Sequence, residues 1–142
     1  MTMIITNKNL STIDQVYEYI SKDQIAKYGA NLSDNQLTTL EGLPNLINGE
    51  LNVDGNILTS LKGCPIFVRY GLFIGNNAAI TTLKFISKKI GVVLSCRGCR
   101  IIDVSDLFDR EFIEKSLDYN VSVNYTQNLA ILPLVKWKNF IL

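Results

Sequence analysis

The chain has 142 residues, of which 47% are hydrophobic and 19% are charged; its formal net charge is +1 and it has no histidine. This length suits one small domain over residues 1–142, and the composition excludes a disordered chain. The balanced charge gives no general reason to expect nucleic acid or acidic lipid as a partner. Residues 1–6 lack a signal-peptide pattern, and no apolar run is long enough to cross a bilayer, so we expect a cytoplasmic protein without a membrane partner.

The first predicted element is an N-terminal helical cap over residues 1–29. Apolar residues recur there at helical spacing: Ile13, Val16, Tyr17 and Ile20. Two capping boxes predict helix starts, the first formed by Thr12 with Gln15 and the second by Ser21 with Gln24. Gly29 then predicts the end of the second helix, because glycine commonly follows a helix C-terminus.

Residues 30–102 contain a repeat of about 21 residues. The segments ANLSDNQL, LNVDGNIL and LFIGNNAA share the pattern apolar-x-apolar-x-x-Asn-x-apolar. Their marker asparagines are Asn35, Asn56 and Asn77. A degraded fourth copy, VVLSCRGC from Val92, has Arg97 at the position of the asparagine. Such a period predicts stacked units that bury a continuous core only when several copies are present.

Alternation within each copy predicts a short strand with one buried face. Aligning the copies predicts two buried columns, which are Ala30/Leu51/Leu72/Val92 and Leu32/Val53/Ile74/Leu94. A third column comprises Leu37, Leu58, Ala79 and Cys99. We expect the marker asparagines to bond the backbone of neighbouring turns. Four glycines before the strands are expected to hold unusual dihedral angles: Gly29, Gly49, Gly71 and Gly91.

The residues after the asparagines carry a family resemblance. They read QLTTLEGLP, ILTSLKGCP and AAITTLKFI. The order of strand, asparagine, Leu-Thr-Thr/Ser-Leu and Gly-x-Pro resembles the short bacterial type of leucine-rich repeat, over residues 30–107. This resemblance implies a curved solenoid. With the predicted caps, the fold class is α+β, a small leucine-rich-repeat-like solenoid of about four short parallel strands with helical N- and C-terminal caps.

Residues 103–142 are predicted to form a C-terminal cap and tail. Ser105 or Asp106 would begin a helix whose inward face comprises Phe108, Phe112, Ile113 and Leu117. Alternating apolar residues then predict a short strand through Val121, Val123 and Tyr125. The tail contains Trp137, Phe140 and Ile141, so it either packs on the repeats or binds something else.

A Cys-x-x-Cys sequence, Cys96 to Cys99, is the first candidate for chemistry. It could serve redox exchange or supply half a zinc site. Without histidine, and with only Cys64 in addition, it does not complete a set of four zinc ligands. The repeat alignment places Cys99 and Cys64 at apolar positions. We therefore predict structural cysteines, with no metal, no cofactor and no catalytic residue.

The charges are unevenly distributed along the chain. A basic stretch comprises Lys84, Lys88, Lys89, Arg97 and Arg100, and a mainly acidic stretch follows it. These stretches either form two solvated faces or present a basic ridge for an acidic partner or a phosphate backbone. A nucleic-acid-binding protein that uses the Lys84–Arg100 ridge is therefore one alternative function, and a small carboxylate-based enzyme is another.

Leucine-rich-repeat proteins mostly bind proteins, so the resemblance implies a protein-binding module rather than an enzyme. Repeats of the LTSLKGCP type resemble those of small proteins encoded by bacteriophages. That likeness implies an inhibitor that binds a host or defence protein in the host cytoplasm and blocks it sterically.

The predicted binding surface is the outer face of the strands. Its first column comprises Asn31, Asn52, Phe73 and Val93, and its second comprises Ser33, Asp54, Gly75 and Ser95. The residues expected to contact a partner are Phe73, Val93, Asn52, Asp54, Asn31, Ser33 and Asn76. Phe73 and Val93 are the anchors, since they are apolar where their equivalents are asparagine. In the alternative interpretation, Trp137 or Phe140 folds back and covers them.

Overall fold

The computed structural model describes residues 1–103, 105–107, 111–112, 120–123 and 140–141. The chain forms a parallel β-solenoid of about three turns with repeats of about 22 residues. Helix accounts for 12% of the structure, so the fold is a strand solenoid with little helix rather than a balanced α+β domain. Among the described residues, no helix combines the length and the apolar character needed to cross a membrane.

Two parallel sheets run along the solenoid. The first sheet has seven strands in the order β1-β2-β4-β6-β8-β10-β11, and the second has four in the order β3-β5-β7-β9. The strands of the first sheet are β1 (Met3–Ile4), β2 (Gly29–Asn31), β4 (Glu50–Asn52), β6 (Gly71–Phe73), β8 (Val93–Cys96), β10 (Asn120–Val123) and β11 (Phe140–Ile141). The strands of the second sheet are β3 (Leu46–Ile47), β5 (Phe67–Val68), β7 (Lys89–Ile90) and β9 (Glu111–Phe112). From β2 to β9 the chain alternates between the two sheets, so each turn of this part contributes one strand to each sheet.

The strand register defines the repeat. Ala30 pairs with Leu51, Leu51 with Leu72 and Leu72 with Leu94, which gives spacings of 21 (51 − 30), 21 (72 − 51) and 22 (94 − 72) residues. We call residues 29–49 coil 1, residues 50–70 coil 2, residues 71–92 coil 3, and the chain from Val93 onward coil 4. The predicted first three strands are confirmed, but Leu94 takes the first buried position of coil 4 instead of the predicted Val92.

Two causes produce this two-residue shift: the sequence pattern places the fourth copy only 20 residues after Leu72 (92 − 72), and coil 3 contains one residue more than coils 1 and 2. Leu37 and Leu58, two residues after their asparagines, are fully buried, whereas the equivalent Ala79 is exposed and Ile80 is buried in its place. Every later position of coil 3 is thereby displaced by one residue. The third predicted column is accordingly wrong for Ala79, and for Cys99, which belongs to the asparagine position described below.

The core consists of stacked columns of side chains that are almost completely buried. The two columns under the first sheet are Ala30/Leu51/Leu72/Leu94 and Leu32/Val53/Ile74/Cys96. Opposite them, the second sheet contributes Ile47, Val68 and Ile90. A single coil has no second layer against which to bury these residues, so stacking of coils supplies the stability of the fold.

Both predicted helix starts in the N-terminal segment are confirmed. Helix α1 (Ile13–Val16) begins at Thr12 and helix α2 (Lys22–Tyr28) begins at Ser21, and both capping boxes are formed. Helix α2 ends at Gly29, whose φ of 78° lies in the left-handed region that glycine tolerates. Strand β1, which pairs with β2, was not predicted.

The other predicted turn glycines have a different role. Gly49, Gly71 and Gly91 do not have positive φ angles. A Cβ atom on Gly49 would overlap the carbonyl group of Tyr28, and one on Gly91 would overlap that of Arg69. These two glycines therefore allow backbones to approach closely at the corner before the first sheet, rather than permitting an unusual dihedral angle.

The C-terminal cap is described only in part. Ser105–Leu107 forms one turn of 3-10 helix, and Glu111–Phe112 is strand β9 rather than part of the predicted helix. The predicted inward-facing Phe108, Ile113 and Leu117 lie outside the described residues. Strand β10 confirms a short strand at the predicted Val121 and Val123, and it extends the first sheet beside β8.

Candidate functional site

One corner of the solenoid is built on a ladder of buried asparagines. In Asn77, Nδ2 donates to the carbonyl oxygens of Val53, at 3.1 Å, and Ile74, at 2.9 Å, while Oδ1 accepts from the backbone N–H of Leu58 at 3.0 Å. Asn56 makes the equivalent bonds one coil earlier. Each asparagine therefore joins its own strand to the preceding coil, as the sequence predicts. These asparagines stabilise the scaffold, and their side chains are buried and therefore inaccessible to a ligand.

Cys99, and not Arg97, occupies the asparagine position of coil 4. Its Sγ donates to the carbonyl oxygen of Ile74 at 3.2 Å, just as Asn77 bonds that of Val53. A cysteine suffices here because the N–H of Ile80, unlike that of Leu58, bonds within its own coil to the carbonyl oxygen of Asn77 at 3.0 Å. The extra residue of coil 3 makes that local bond possible, so no side-chain oxygen is required.

Both cysteines of the Cys-x-x-Cys sequence are buried free thiols. Burial raises the pKa of Cys96 well above its ordinary value, and burial also raises the pKa of Cys99. A buried, protonated thiol is a poor nucleophile and a poor metal ligand. Within the part of the chain that the structure describes, no group of three or more cysteine, aspartate or glutamate residues could hold a metal ion.

The outer face of the first sheet presents one column of mostly half-buried side chains. In strand register, this column is Asn31/Asn52/Phe73/Ser95. Ser95 therefore replaces the predicted Val93, which pairs with Gly71 in the neighbouring position. The second predicted column changes in the same way. Because coil 4 is shifted by two residues, Arg97 and not the predicted Ser95 is the residue equivalent to Gly75.

Phe73 and Val93 are nevertheless neighbours, because both lie over Gly71. A Cβ atom on Gly71 would stand 2.6 Å from Cε2 of Phe73 and 3.0 Å from Cγ1 of Val93. The aromatic ring thus covers the bare backbone of its own strand, beside the valine of the next strand. Both side chains are half-buried and half-exposed. The predicted apolar pair exists, although it forms through Gly71 rather than through a shared column.

The predicted polar contacts around this pair are ordered by local hydrogen bonds. Oδ1 of Asn31 accepts from the N–H and the hydroxyl of Ser33, at 3.0 and 2.7 Å. Oδ1 of Asn52 accepts from the N–H of Asp54 at 2.9 Å. These bonds hold both amides in fixed positions on the face, where Asn52 is the direct neighbour of Phe73 and Asn31 lies one strand further away.

Asp54 links two coils at the edge of the face. Its Oδ1 accepts from the N–H of Gly75 at 2.6 Å. Burial raises the pKa of Asp54, the hydrogen bond from Gly75 lowers it, and the nearby Asp34 raises it again. The predicted Asn76 lies beyond it in a left-handed turn with a φ of 52°.

The left-handed turn recurs in every described coil. Its residues and φ angles are Asp34 at 57°, Gly55 at 68°, Asn76 at 52° and Gly98 at 81°. Aspartate, asparagine and glycine are the residues that tolerate this conformation. The column confirms the 22-residue step into coil 4, since Gly98 takes the place that the sequence alignment assigned to Cys96.

The C-terminal segment is described only at its strands. Phe140 lies in β11, which pairs with β10 at the far edge of the first sheet. Its backbone therefore extends the sheet and does not cross the outer face of β6. Trp137, the other residue considered as a cover for Phe73, lies outside the described residues.

The structure divides the basic stretch between the two sheets. Lys89 belongs to β7 of the second sheet, whereas Arg97 directly follows β8 of the first sheet. Lys84 and Lys88 lie in the loop of coil 3 that leads into the second sheet. These residues do not follow a single strand or edge, as the ridge interpretation would require.

No model of a known family, no curated protein and no solved structure matches this chain. The parallel solenoid is therefore the level at which its fold is classified, and its function has to be inferred from the exposed side chains.

Proposed function

We propose that this protein is a binding module, not an enzyme, and that the outer face of its first sheet docks another protein. The observation that carries the proposal is the apolar pair of Phe73 and Val93 in a setting of asparagines. At the same position, coils 1 and 2 have Asn31 and Asn52, which suit a solvated face. A half-exposed aromatic residue at the centre of a polar face is typical of an interface anchor.

The face is suited to binding because it is already ordered. The ring of Phe73 rests on Gly71 and beside Val93, so it has little rotational freedom to lose when a partner covers it. The side-chain oxygens of Asn31 and Asn52 are held in place because each accepts a hydrogen bond from the backbone N–H two residues further along the chain. Immobilising flexible side chains typically weakens association by about 0.5–1.5 kcal/mol for each, and this face avoids much of that penalty.

The proposal extends to the family and the partner. The asparagine corner followed by Leu-x-x-Leu and Gly-x-Pro supports a solenoid of the leucine-rich-repeat type. Small phage-encoded proteins resemble it in their repeats, so we propose a host or defence protein as the partner. Binding would inhibit that partner by steric occlusion, a mode of action that needs only a surface complementary to the partner.

The test is affinity capture from a bacterial lysate with the full chain and two matched variants. Phe73→Asn recreates the residue of coils 1 and 2, so the fold should accept it. Ile57→Gln removes another exposed apolar residue, 56% exposed, and recreates Gln36 of coil 1. We expect Phe73→Asn to weaken binding to the captured protein at least tenfold, about 1.4 kcal/mol, while Ile57→Gln binds like the wild type.

Two measurements complete this test. The melting temperature of Phe73→Asn should stay within a few degrees of the wild type, because the ring is only half-buried. A large fall without a binding defect would assign Phe73 to the core. Steep loss of binding with salt, on a nucleic acid instead of a protein, would favour the nucleic-acid alternative.

A further inference from the structure

The loop that leads into the second sheet contains a strained aromatic residue. In each of coils 1 to 3, the residue two positions after a buried leucine adopts a left-handed conformation. These residues are Gly42 with a φ of 104°, Gly63 with 88° and Phe85 with 70°. For a bulky side chain this conformation is rare, and it destabilises the folded chain. Coil 3 therefore keeps the turn of coils 1 and 2 but lacks the glycine that suits it.

The side chain of Phe85 gains little from burial in return. It is 48% exposed, and Ile66 of coil 2 is 47% exposed. Both line a cavity of about 400 Å³ whose wall also includes Cys64 and Pro65. An aromatic side chain that is strained and also half in solvent does not stabilise the core. Strain of this kind is found where a side chain is held out for binding.

The rim of this cavity is mainly basic. Nζ of Lys84 lies 5.1 Å from the centroid of the Phe85 ring, and the exposed Lys88 also lines the cavity. Asp106 is the only acidic residue among the described lining residues. Glu41 is engaged elsewhere, in an ion pair with Lys62 at 3.1 Å. An apolar cavity with ammonium groups at its rim is complementary to an apolar side chain flanked by carboxylates.

We propose that this cavity binds an acidic peptide segment of a second protein. An apolar side chain of the peptide would insert between Phe85 and Ile66, and neighbouring carboxylates would pair with Lys84 and Lys88. Phe85 follows Phe73 by 12 residues (85 − 73) in a coil of about 22, so the two lie on opposite sides of the solenoid. The cavity is thus separate from the face proposed above, and both can be occupied at once.

A displayed library of random peptides, selected on the immobilised full chain, provides the probe. We expect enriched peptides to combine an aliphatic or aromatic residue with adjacent aspartate or glutamate. A synthetic peptide of the enriched sequence should bind more weakly as salt is raised, because charge pairing contributes to its affinity. Failure to enrich peptides, or enrichment of peptides without acidic residues, overturns the proposal.

Variants of the cavity make the test specific. Phe85→Gly recreates Gly42 and Gly63, and Phe85→Asn introduces a residue that the chain already uses in left-handed turns, as at Asn76. Both should weaken binding of the synthetic peptide at least tenfold without lowering the melting temperature, because relief of strain offsets the lost contacts. The double variant Lys84→Gln/Lys88→Gln should weaken binding and abolish most of its salt dependence.

Phe73→Asn serves as the control, and it should leave peptide binding unchanged. The two proposals can therefore fail separately, since each variant affects one surface. The proposal of a peptide-binding cavity is overturned if Phe85→Gly binds the peptide as tightly as the wild type. It is also overturned if both Phe85 variants melt several degrees below the wild type. A third outcome also overturns it: a single-stranded oligonucleotide displaces the peptide, and its binding requires Phe85. The ligand of the cavity would then be a nucleic acid.

Discussion

Coils 1 and 2 differ from coil 3 in a consistent way. Coils 1 and 2 have asparagine on the outer face, glycine in the left-handed loop position, and a Gly-x-Pro sequence before the second sheet. Coil 3 has Phe73, Phe85 and Ser87 at the equivalent positions, and it is one residue longer. The inward-facing residues do not differ in this way, since Leu51 and Leu72 are equally buried. Coil 3 is therefore built on the same core but presents a different surface.

This difference separates scaffold from surface. At the asparagine corner, buried backbone groups need hydrogen-bond partners. Coil 3 therefore keeps the asparagine of coils 1 and 2, as Asn77. At two surface positions, coil 3 instead has an aromatic residue: Phe73 where coils 1 and 2 have asparagine, and Phe85 where they have the glycine that suits the turn. Both aromatic side chains are about half-exposed. Both proposed binding sites therefore lie at positions where coil 3 departs from the repeat.

The largest expected effect distinguishes Asn77 from Cys99 at the same ladder position. Asn77→Ala removes the side-chain bonds to the carbonyl groups of Val53, Ile74 and Gly75 and leaves the buried N–H of Leu58 without an acceptor. We expect it to lower the free energy of unfolding by about 3 kcal/mol. Cys99→Ala removes one weak bond and should lower it by only about 1 kcal/mol. Chemical denaturation of both variants measures the difference.

A third variant sharpens this result. Cys99→Asn restores the ladder residue, but the N–H of Ile80 already bonds Asn77, so the new amide oxygen would lack that donor. We expect no gain in stability. A gain of 1 kcal/mol or more, on the order of one hydrogen bond, would contradict our explanation of why coil 4 tolerates cysteine.

The second expected effect concerns the register of coil 4. Cys96 is fully buried in the column of Val53 and Ile74, whereas Val92 is half-exposed at the corner. Cys96→Ser buries a hydroxyl group among apolar side chains and should lower the free energy of unfolding by about 1–3 kcal/mol. Val92→Ser should change it by less than about 1 kcal/mol. The opposite ranking in a denaturation experiment would restore the register that the sequence alone indicates.

The sequence predicts the parts of the fold that depend on local patterns. Capping boxes at Thr12 and Ser21, and apolar alternation in the first three strands, involve residues within one turn or one strand. Local patterns do not predict the 22-residue spacing between coils 3 and 4. The extra residue lies in the run Ala78-Ala79-Ile80, where either alanine could occupy a small buried position, so the sequence does not show which residue is additional. The two-residue strands β1 and β3 are too short to show any periodicity, and only pairing between coils creates them.

The candidate sites show the same limit. Phe73 and Val93 are identifiable from the sequence because each is apolar where a solvated strand face is expected. Their contact through Gly71 is not, since it depends on the register of two strands. Phe85 was missed, although the signal was present in the loss of Gly-x-Pro from coil 3. Recognising its strain requires the backbone angle, which the sequence does not contain.

The smallest expected effect compares two carboxylates at different places in the solenoid. Burial raises the pKa of Asp54 in coil 2, whereas hydrogen bonds from Ser105 lower the pKa of Asp103 in coil 4. Asp54 therefore binds its proton more tightly in the folded chain. As pH rises from the ordinary aspartate pKa through the raised folded value, the free energy of unfolding falls. For Asp103 the free energy of unfolding depends on pH in the opposite direction. Its stabilising contribution is present above the unfolded pKa and is lost as pH falls through the lowered folded pKa.

Replacing each carboxylate by its amide tests these opposite signs. Asp54→Asn keeps an oxygen for the N–H of Gly75 and does not titrate, so at neutral pH it should be slightly more stable than the wild type. The gain should be less than about 1 kcal/mol, since the group is only half-buried, and it should vanish at acidic pH. Asp103→Asn should instead be slightly less stable at neutral pH, because the amide oxygen accepts more weakly from the N–H of Ser105, now 2.8 Å away. Melting temperatures of the three proteins from acidic to neutral pH measure both effects. A lower melting temperature of Asp54→Asn than of the wild type at neutral pH would contradict this expectation. It would mean that the ionised carboxylate of Asp54, which accepts from the N–H of Gly75, stabilises the junction of coils 2 and 3 despite its burial.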